Sequence, residues 1–504
     1  MRKGLVFWCA FILGFALIAL ALVFAGREPE GRHLASAIPQ PKETSPYVYM
    51  EGEGKSFVFA LEPLPKGEGK AADLLERTSA LSPLLEAASR AAFLFAWESN
   101  RFQLHGTFLF PREIVKKLSN GVLPQEWVEK EPKLVLEKHS EGILALSGPS
   151  PKFSPLFVSL NGGLTLLASS PSRLAEMVRV LETGKDSISP TWDVEKSWPN
   201  HLKIFDGGLL SQMASMQEIP VSLGNLTITA GWMDGNKGGR LRWKVQGLEG
   251  LLPADVRAKL QPVSWEGRFL IPDPWIAALG LNVPQGLALR LADSEMGKWT
   301  ENLGMEREET DGILPGPVVA SLCGNSKFLL FSLPGILLQL PGRGSRGETF
   351  INSFWNKDWS SLVPGVEKID GFPAGGTTAI PFSILGAANG ELVQLGLLER
   401  DHIKPENYRF LTEAVPALKE AKDALLWVFF HAGRLSDAME GIGKAGALAE
   451  KFGKDIGKDL RNMIESASRL KGLGSVTMVL QSLDEGLLEW TREAPDGSKR
   501  GRQQ

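Results

Sequence analysis

The chain has 504 residues, 43% of them hydrophobic and 22% charged, a composition that excludes intrinsic disorder and accommodates two to four domains at about 150 residues each. Formal charge is −3, and because Arg2 and Lys3 are the only charged residues before Arg27, the remainder carries −5 from 53 basic and 58 acidic side chains; a dedicated nucleic-acid binder, which needs a concentrated positive field, is excluded. Two cysteines, Cys9 and Cys323, exclude a disulfide scaffold and a thiolate metal site.

No charge interrupts Gly4 to Gly26, and the stretch is almost wholly apolar. As a helix, about 22 residues span roughly 33 Å, enough to cross the hydrocarbon core. A cleaved signal peptide is the rival reading, with a small-x-small site at Ala35-Ser36-Ala37. Signal h-regions run about 7–15 residues and this run is longer, so a transmembrane anchor is expected. Bulky Phe7 and Trp8 ahead of Cys9 exclude a lipoprotein attachment site. Arg2, Lys3 and the amino terminus favour a cytoplasmic N-terminus, since Arg27 and Arg32 beyond the span are accompanied by Glu28 and Glu30. No second apolar run reaches spanning length. The chain is therefore expected to be a single-pass protein of the inner membrane, with its large C-terminal part in the periplasm. Residues 27–45, with EPEGRH and IPQPKETS, form a polar, Pro-containing tether.

Beyond the tether, Asp73 to Ala92 is helical in pattern, with Ser82-Pro83 dividing it in two. Ser170-Pro171 stands ahead of Leu174, Met177, Val178 and Leu181, where serine caps a helix and proline fits its first turn. Leu226, Ile228, Ala230 and Trp232 alternate, Asp234-Gly235 turns the chain, and Leu241, Trp243 and Val245 alternate back as a β-hairpin. Val476, Met478 and Leu480, then Asp484-Glu485-Gly486, then Leu488 and Trp490 repeat that hairpin. The Ala-, Lys- and Gly-rich stretch from Leu435 to Leu470 predicts a long helix or helix pair. Its glycines, Gly441, Gly446, Gly453 and Gly457, each weaken a helix by about 1 kcal/mol, and either permit close packing on a sheet or mark breaks.

Self-similarity is the most informative signal. Asn100-Arg101-Phe102 with Pro111 and Ile114 to Leu118 resembles Asn325 to Phe328 with Pro334 and Ile336 to Leu340. Gly163-Leu164-Thr165-Leu166-Leu167 lines up with Gly390 to Leu395, and Gly208-Leu209-Leu210-Ser211 with Gly433-Arg434-Leu435-Ser436 at an offset of 225. The offset then becomes 250, with Leu223 to Thr227 against Leu473 to Thr477, and Trp243 answers Trp490. Two copies follow, the second with an insertion of about 25 residues before Lys471. The expected organisation is an anchor with its cytoplasmic tip over 1–26, the tether over 27–45, a first α+β module over 46–246, a linker over 247–264, a second module over 265–494 and a basic tail over 495–504. The fold class is α+β: an N-terminal transmembrane helix, then two duplicated modules of mainly antiparallel sheet with packed helices.

Motifs that carry chemistry are scarce. Gly342-Arg343-Gly344-Ser345-Arg346-Gly347 has the dinucleotide spacing, but Pro341 precedes it, Pro334-Gly335 interrupts the would-be strand and no parallel βαβ series surrounds it. A basic surface turn is expected. Gly54-Lys55-Ser56 lacks the first glycine of a phosphate-binding loop, which would fall at Tyr49. Six histidines (His33, His105, His139, His201, His402, His431) are dispersed without metal-ligand spacing, and the run Glu306, Glu308, Glu309, Asp311 reads as a solvated loop. Asp206 and His431 hold matching positions in the two copies, as an N-cap and a junction residue. Cys323 lies in an apolar strand as a small buried hydrophobe. Of 14 tryptophans, Trp97, Trp232, Trp243 and Trp490 are in phase with core positions; Trp355 and Trp359 fall at i and i+4 of a helix and are also assigned to the core. No catalytic, cofactor-binding or metal-binding residue is assigned.

The layout resembles uncharacterised bacterial envelope proteins with one N-terminal anchor and a duplicated α+β ectodomain. The residues carrying this are Gly4–Gly26, Gly163 through Ala168-Ser169-Ser170-Pro171, and Ile204-Phe205-Asp206-Gly207-Gly208-Leu209-Leu210; the second copy lacks the Ala-Ser-Ser-Pro junction. The resemblance implies a fold type and a location and brings no catalytic residues. The function expected is a non-enzymatic binding or scaffold protein of the envelope, held to the membrane through its N-terminal helix, with a protein or lipid partner and no nucleic acid. A lipid or lipoprotein carrier with a dry apolar cleft and an envelope hydrolase with dispersed carboxylates are the alternatives.

Overall fold

The computed structural model describes residues 34–42, 45–53, 82–98, 101–132, 134–148, 155–161, 163–188, 198–206, 226–235, 237–248, 257–258, 260–284, 312–328, 331–356, 365–378, 383–440 and 473–492. The expectations for the anchor, Gly54-Lys55-Ser56, Glu306–Asp311, Trp359, residues 441–470 and the basic tail lie outside the described residues. Among the described residues, no helix is long and apolar enough to cross a membrane. The fold is α+β, dominated by antiparallel sheet with few helices. The chain divides into two compact units, Met1–Leu251 and Leu252–Gln504.

The first unit contains β1 (Tyr47–Gly52), β2 (Arg90–Glu98), β3 (Arg101–Leu109), β4 (Val135–Ser140), β5 (Ile143–Ser147), β6 (Leu156–Asn161), β7 (Leu164–Ala168), β8 (Asn200–Phe205), β9 (Thr227–Gly235) and β10 (Gly238–Gln246). They pair antiparallel in the order β4-β5-β6-β7-β3-β2-β1-β8-β9-β10. Its helices are α1 (Ser82–Ala87), α2 (Arg112–Ser119), α3 (Gln125–Lys130) and α4 (Pro171–Thr183).

Alternation sets the two faces of this sheet. Ala92, Leu94 and Ala96 of β2 are buried beneath α4, with Leu164, Leu166 and Ala168 of β7. The Ser-Pro signal of α4 holds: the Ser170 hydroxyl accepts the Arg173 N–H at 3.3 Å, Pro171 opens the first turn, and left-handed Gly184 ends the helix. Leu174, Met177 and Val180 form its buried stripe. On the opposite face, Phe93 meets Phe108 edge-on at 5.1 Å, Phe108 stacks on Phe110 at 5.3 Å, and Phe110 meets Trp127 of α3 at 5.5 Å.

Three expectations change here. Of the tether, residues 34–38 are core: Leu34–Ala37 form a 3-10 turn, and Leu34, Ala35, Ala37 and Ile38 are buried against α4, β2 and β3. Thr107 Oγ1 donates to the Leu34 carbonyl at 3.0 Å, and the Ile188 N–H to the Ile38 carbonyl at 2.8 Å. The polar flanks hide four apolar residues in five, each contributing up to about 1.5–3 kcal/mol for the larger side chains. The helix drawn to Ala92 stops at Ala87, because Ala91 and Ala92 pair with Phe108 and Thr107 in β3. The Asp234-Gly235 turn is still strand, with Gly235 paired to Gly238.

The second unit contains β13 (Trp275–Val283), β14 (Gly316–Phe328), β15 (Phe331–Pro341), β16 (Ala374–Thr377), β17 (Ile384–Ala388), β18 (Leu392–Leu397), β21 (Leu426–His431), β22 (Leu473–Leu480) and β23 (Glu485–Arg492). They pair antiparallel in the order β16-β17-β18-β15-β14-β13-β21-β22-β23. Two ribbons join β11 (Val263–Ser264) to β20 (Asp423–Ala424) and β12 (Arg268–Leu270) to β19 (Tyr408–Phe410). The helices are α5 (Gly344–Trp355), α6 (Leu411–Ala414) and α7 (Pro416–Ala421). Residues 432–440 are also helical, at the start of the stretch expected to be.

One face of this sheet packs Ala278, Val319, Leu337, Leu385, Leu392, Trp427, Val479 and Leu487 against Leu411, Val415 and Leu418. Trp427 lies flat on β13 across from Gly280, where a Cβ would come 1.9 Å from its indole nitrogen. The opposite face carries α5, whose Phe350, Ile351 and Phe354 bury Leu340, Ala388 and Val393. The linker shrinks at its C-terminal end. Val263–Ser264 are strand, and the buried Trp265 indole donates to the Ala424 carbonyl at 3.0 Å. The first of the aligned segments is out of register: Ile114–Leu118 lie in α2 and Ile336–Leu340 in β15. The second hairpin turns at 481–484, so Glu485 and Gly486 belong to β23.

Candidate functional site

A polar cluster of the first unit gathers at the head of α4. Pairing of β3 with β7 sets His105 opposite Ala168, and pairing with β2 sets it opposite Leu94. Ser169 Oγ accepts the Leu104 N–H at 3.3 Å and donates to Gln103 Oε1 at 3.2 Å. Arg173 reaches Glu98 at 2.6 Å and Glu176 at 2.8 Å. His105 is only 3% exposed, and neither ring nitrogen has a hydrogen-bond partner. Burial, and then the Arg173 charge, hold its pKa down at about 4 against the opposing pull of Glu176 and Glu98. The imidazole is therefore neutral at pH 7 and shielded from solvent.

In the second unit, Gln339 holds backbone and Gln394 pairs with another side chain. Gln339 accepts the Leu270 N–H at 2.8 Å and donates to the Leu270 carbonyl at 3.0 Å. Gln394 and Tyr408 exchange hydrogen bonds at 2.8 and 3.1 Å, and burial pushes the Tyr408 phenol up to about 12. Cys323 is a buried free cysteine whose thiol is pushed by burial to about 12, inert as expected of a core residue.

The glycine-rich string is not a basic surface turn. β15 runs through Pro334-Gly335 directly into it, and α5 opens within it. Arg343 turns inward and donates to the carbonyls of Ile313 at 2.6 Å, Pro341 at 2.7 Å, Pro317 at 3.0 Å and Leu314 at 3.4 Å. Burial lowers its pKa to about 10. A Cβ on Gly347 would meet Val393 at 2.3 Å, so the last glycine serves helix–sheet packing. Both neighbours of β15 are antiparallel, so the strand–turn–helix is no dinucleotide fold.

The remaining candidates do not converge. Among the described residues, no group of three or more His, Cys, Asp or Glu could hold a metal. His139 is exposed beside the Phe157 ring, His201 is buried in β8, and His402 Nε2 accepts the Asn325 N–H at 3.0 Å. Asp206 Oδ1 accepts the Leu226 N–H at 2.7 Å, which ties β8 to the start of β9; the helix it was expected to cap lies outside the described residues. His431 ends β21, and its Nδ1 accepts the Arg434 N–H at 3.5 Å. Trp232, Trp243 and Trp490 are buried, while Trp355 is the last residue of α5 and donates to the Gly386 carbonyl at 2.7 Å.

An apolar surface escaped the sequence reading. Ile336 is 57% exposed, its direct cross-strand partner Leu397 is 45% exposed, and Leu279 of β13 is 40% exposed. Half-buried Leu322 stands across from Ile336 and Ala320 across from Leu279, so the three share one face beyond the reach of α5. The signal was present in the run Ile336-Leu337-Leu338, which is apolar on both faces of the strand.

No protein-family model matches the chain, and no curated protein matches it in sequence. Two solved structures are similar in part: crystal forms I and III of TP0453, at 12% and 10% identity, covering 45% and 48% of this chain and 84% and 91% of that one, each with a TM-score of 0.28. A likeness of that size carries no inference about fold or function.

Proposed function

We propose that the chain is a membrane-anchored extracytoplasmic protein of the bacterial envelope that binds an apolar partner without catalysing a reaction. The observation that carries this is the exposed aliphatic stripe of Leu279, Ile336 and Leu397, because contiguous exposed apolar surface marks an interaction site. The buried Gln339 and Gln394 and the half-buried Arg343 support the same reading, since they are already engaged in hydrogen bonds within the chain. The apolar run Gly4–Gly26 supplies the tether to the inner membrane. Burial of Leu34, Ala35 and Ala37 favours retention over cleavage after Ala37, which would strip those side chains from the core.

The same proposal takes the two units as duplicates. Strands β5-β6-β7-β3-β2-β1-β8-β9-β10 and β16-β17-β18-β15-β14-β13-β21-β22-β23 follow one order, with a helix after the third and the fifteenth strands. Native mass spectrometry of the full chain released from detergent, beside an Ile336→Ser/Leu397→Ser variant, tests the binding role. A lipid-mass or stoichiometric protein-mass adduct lost in the variant supports it and says which partner class applies. A bare wild-type mass, or adducts indifferent to the substitutions, refutes it.

A further inference from the structure

The sheet face beneath α4 carries one ionisable ring without a partner. His105 stands between Leu94 of β2 and Ala168 of β7, on the face where those two side chains join Leu34, Ala96 and Leu174 in one apolar cluster. The charged groups that act on it are Glu98 at the end of β2 and Arg173 and Glu176 on α4. The Tyr49 phenol in the same cross-strand row donates to Glu51 on its own strand at 2.8 Å. Ala168, opposite His105, lies two residues before the Ser170 N-cap, so the ring sits at the positive end of a 13-residue helix.

We propose that His105 is an acid-operated latch: proton uptake by its imidazole releases the first turn of α4 from the sheet and bares the apolar face beneath it. An imidazolium there would lie beside the Arg173 guanidinium and the helix N-terminus, both positive, with no acceptor in hydrogen-bond contact. The two nearby carboxylates are already held by Arg173. Lifting α4 rehydrates the ring and separates it from both positive charges. Closed, the ring takes a proton only near pH 4, against an ordinary value of 6.5 when released. The opening constant is therefore flat above about pH 6.5, rises about tenfold per pH unit below it to about 150-fold at pH 4, and levels off below that.

Hydrogen exchange of the full chain in detergent, corrected for intrinsic rates, reads the latch in peptides covering 34–38 and 171–183. Between about pH 7 and about pH 5, opening there rises roughly twenty-fold in the wild type. His105→Leu and His105→Gln flatten the rise, the glutamine variant preserving a neutral polar side chain if the leucine variant does not fold. A wild type flat over that range overturns the latch, as does a rise that persists in either variant or is uniform across the first unit.

Discussion

The two units order their strands alike and finish one sheet face differently. In the first, the face opposite α4 is filled by Phe93, Phe108, Phe110 and Trp127, the last brought by α3, which packs on α1. In the second, among the described residues, the matching face is closed by the 12-residue helix α5, which covers Leu340 and Val393 and leaves Ile336 and Leu397 exposed. Histidine is treated differently as well. His105 on β3 is buried without a partner, whereas His402, in the turn after β18, binds the Asn325 N–H at 3.0 Å. One strand order thus leaves an open apolar face in one unit and a sealed ionisable group in the other, so the order alone assigns no role.

The largest expected effect lies in the packing of the second unit. Gly280→Ala places a Cβ where the Trp427 indole lies, and Trp427 is itself wedged edge-on against Trp265 at 5.8 Å. The expected loss is about 3 kcal/mol, read by denaturant unfolding, and Trp427→Phe in the same chain should recover part of it. Wild-type stability in Gly280→Ala would mean the indole is free to move. Next comes Arg343→Ala, which leaves four carbonyls short of a donor and should cost about 2–3 kcal/mol. Arg343→Lys should recover little of that, because an ammonium cannot fork across four acceptors. In the first unit, Ser170→Ala should cost about 1 kcal/mol, and the loss should appear as faster exchange in the first turn of α4.

How much of this was legible in sequence depended on whether the signal was local. The hairpin of β9 and β10 and the helix α4 were legible because alternation, a Ser-Pro cap and a terminal glycine are each decided within a few residues. Leu34 to Ile38 were hidden because composition averages over a window, and their burial depends on β2 and β3 some sixty residues away. Pro334-Gly335 looked like a strand break, yet β15 absorbs both where its register with β14 shifts, at Cys323/Asn325. Arg343 looked solvated because its four acceptors come from 313–317 and from Pro341. His105 carries no motif at all, and only the pairing of β3 with β2 and β7 shows that it is buried.

The smallest expected effect lies at the exposed aliphatic face of the second unit. Ile336→Ser with Leu397→Ser removes aliphatic surface that is already wet, so the unfolding midpoint should stay within about 0.5 kcal/mol of wild type. The matching change in the first unit, Phe93→Ser, removes a buried ring in edge contact with Phe108 and should cost at least 3 kcal/mol, by analogy with about 3–5 kcal/mol for aromatic-to-alanine changes in cores. Measured side by side by chemical denaturation, the two substitutions ask whether one sheet face is open and the other filled. A large loss from the Ile336/Leu397 pair would show that these side chains support the fold, and the stripe would no longer qualify as a binding surface. A neutral result joined to loss of the co-purifying adduct would separate binding from stability, because the side chains that hold the partner would contribute little to holding the protein.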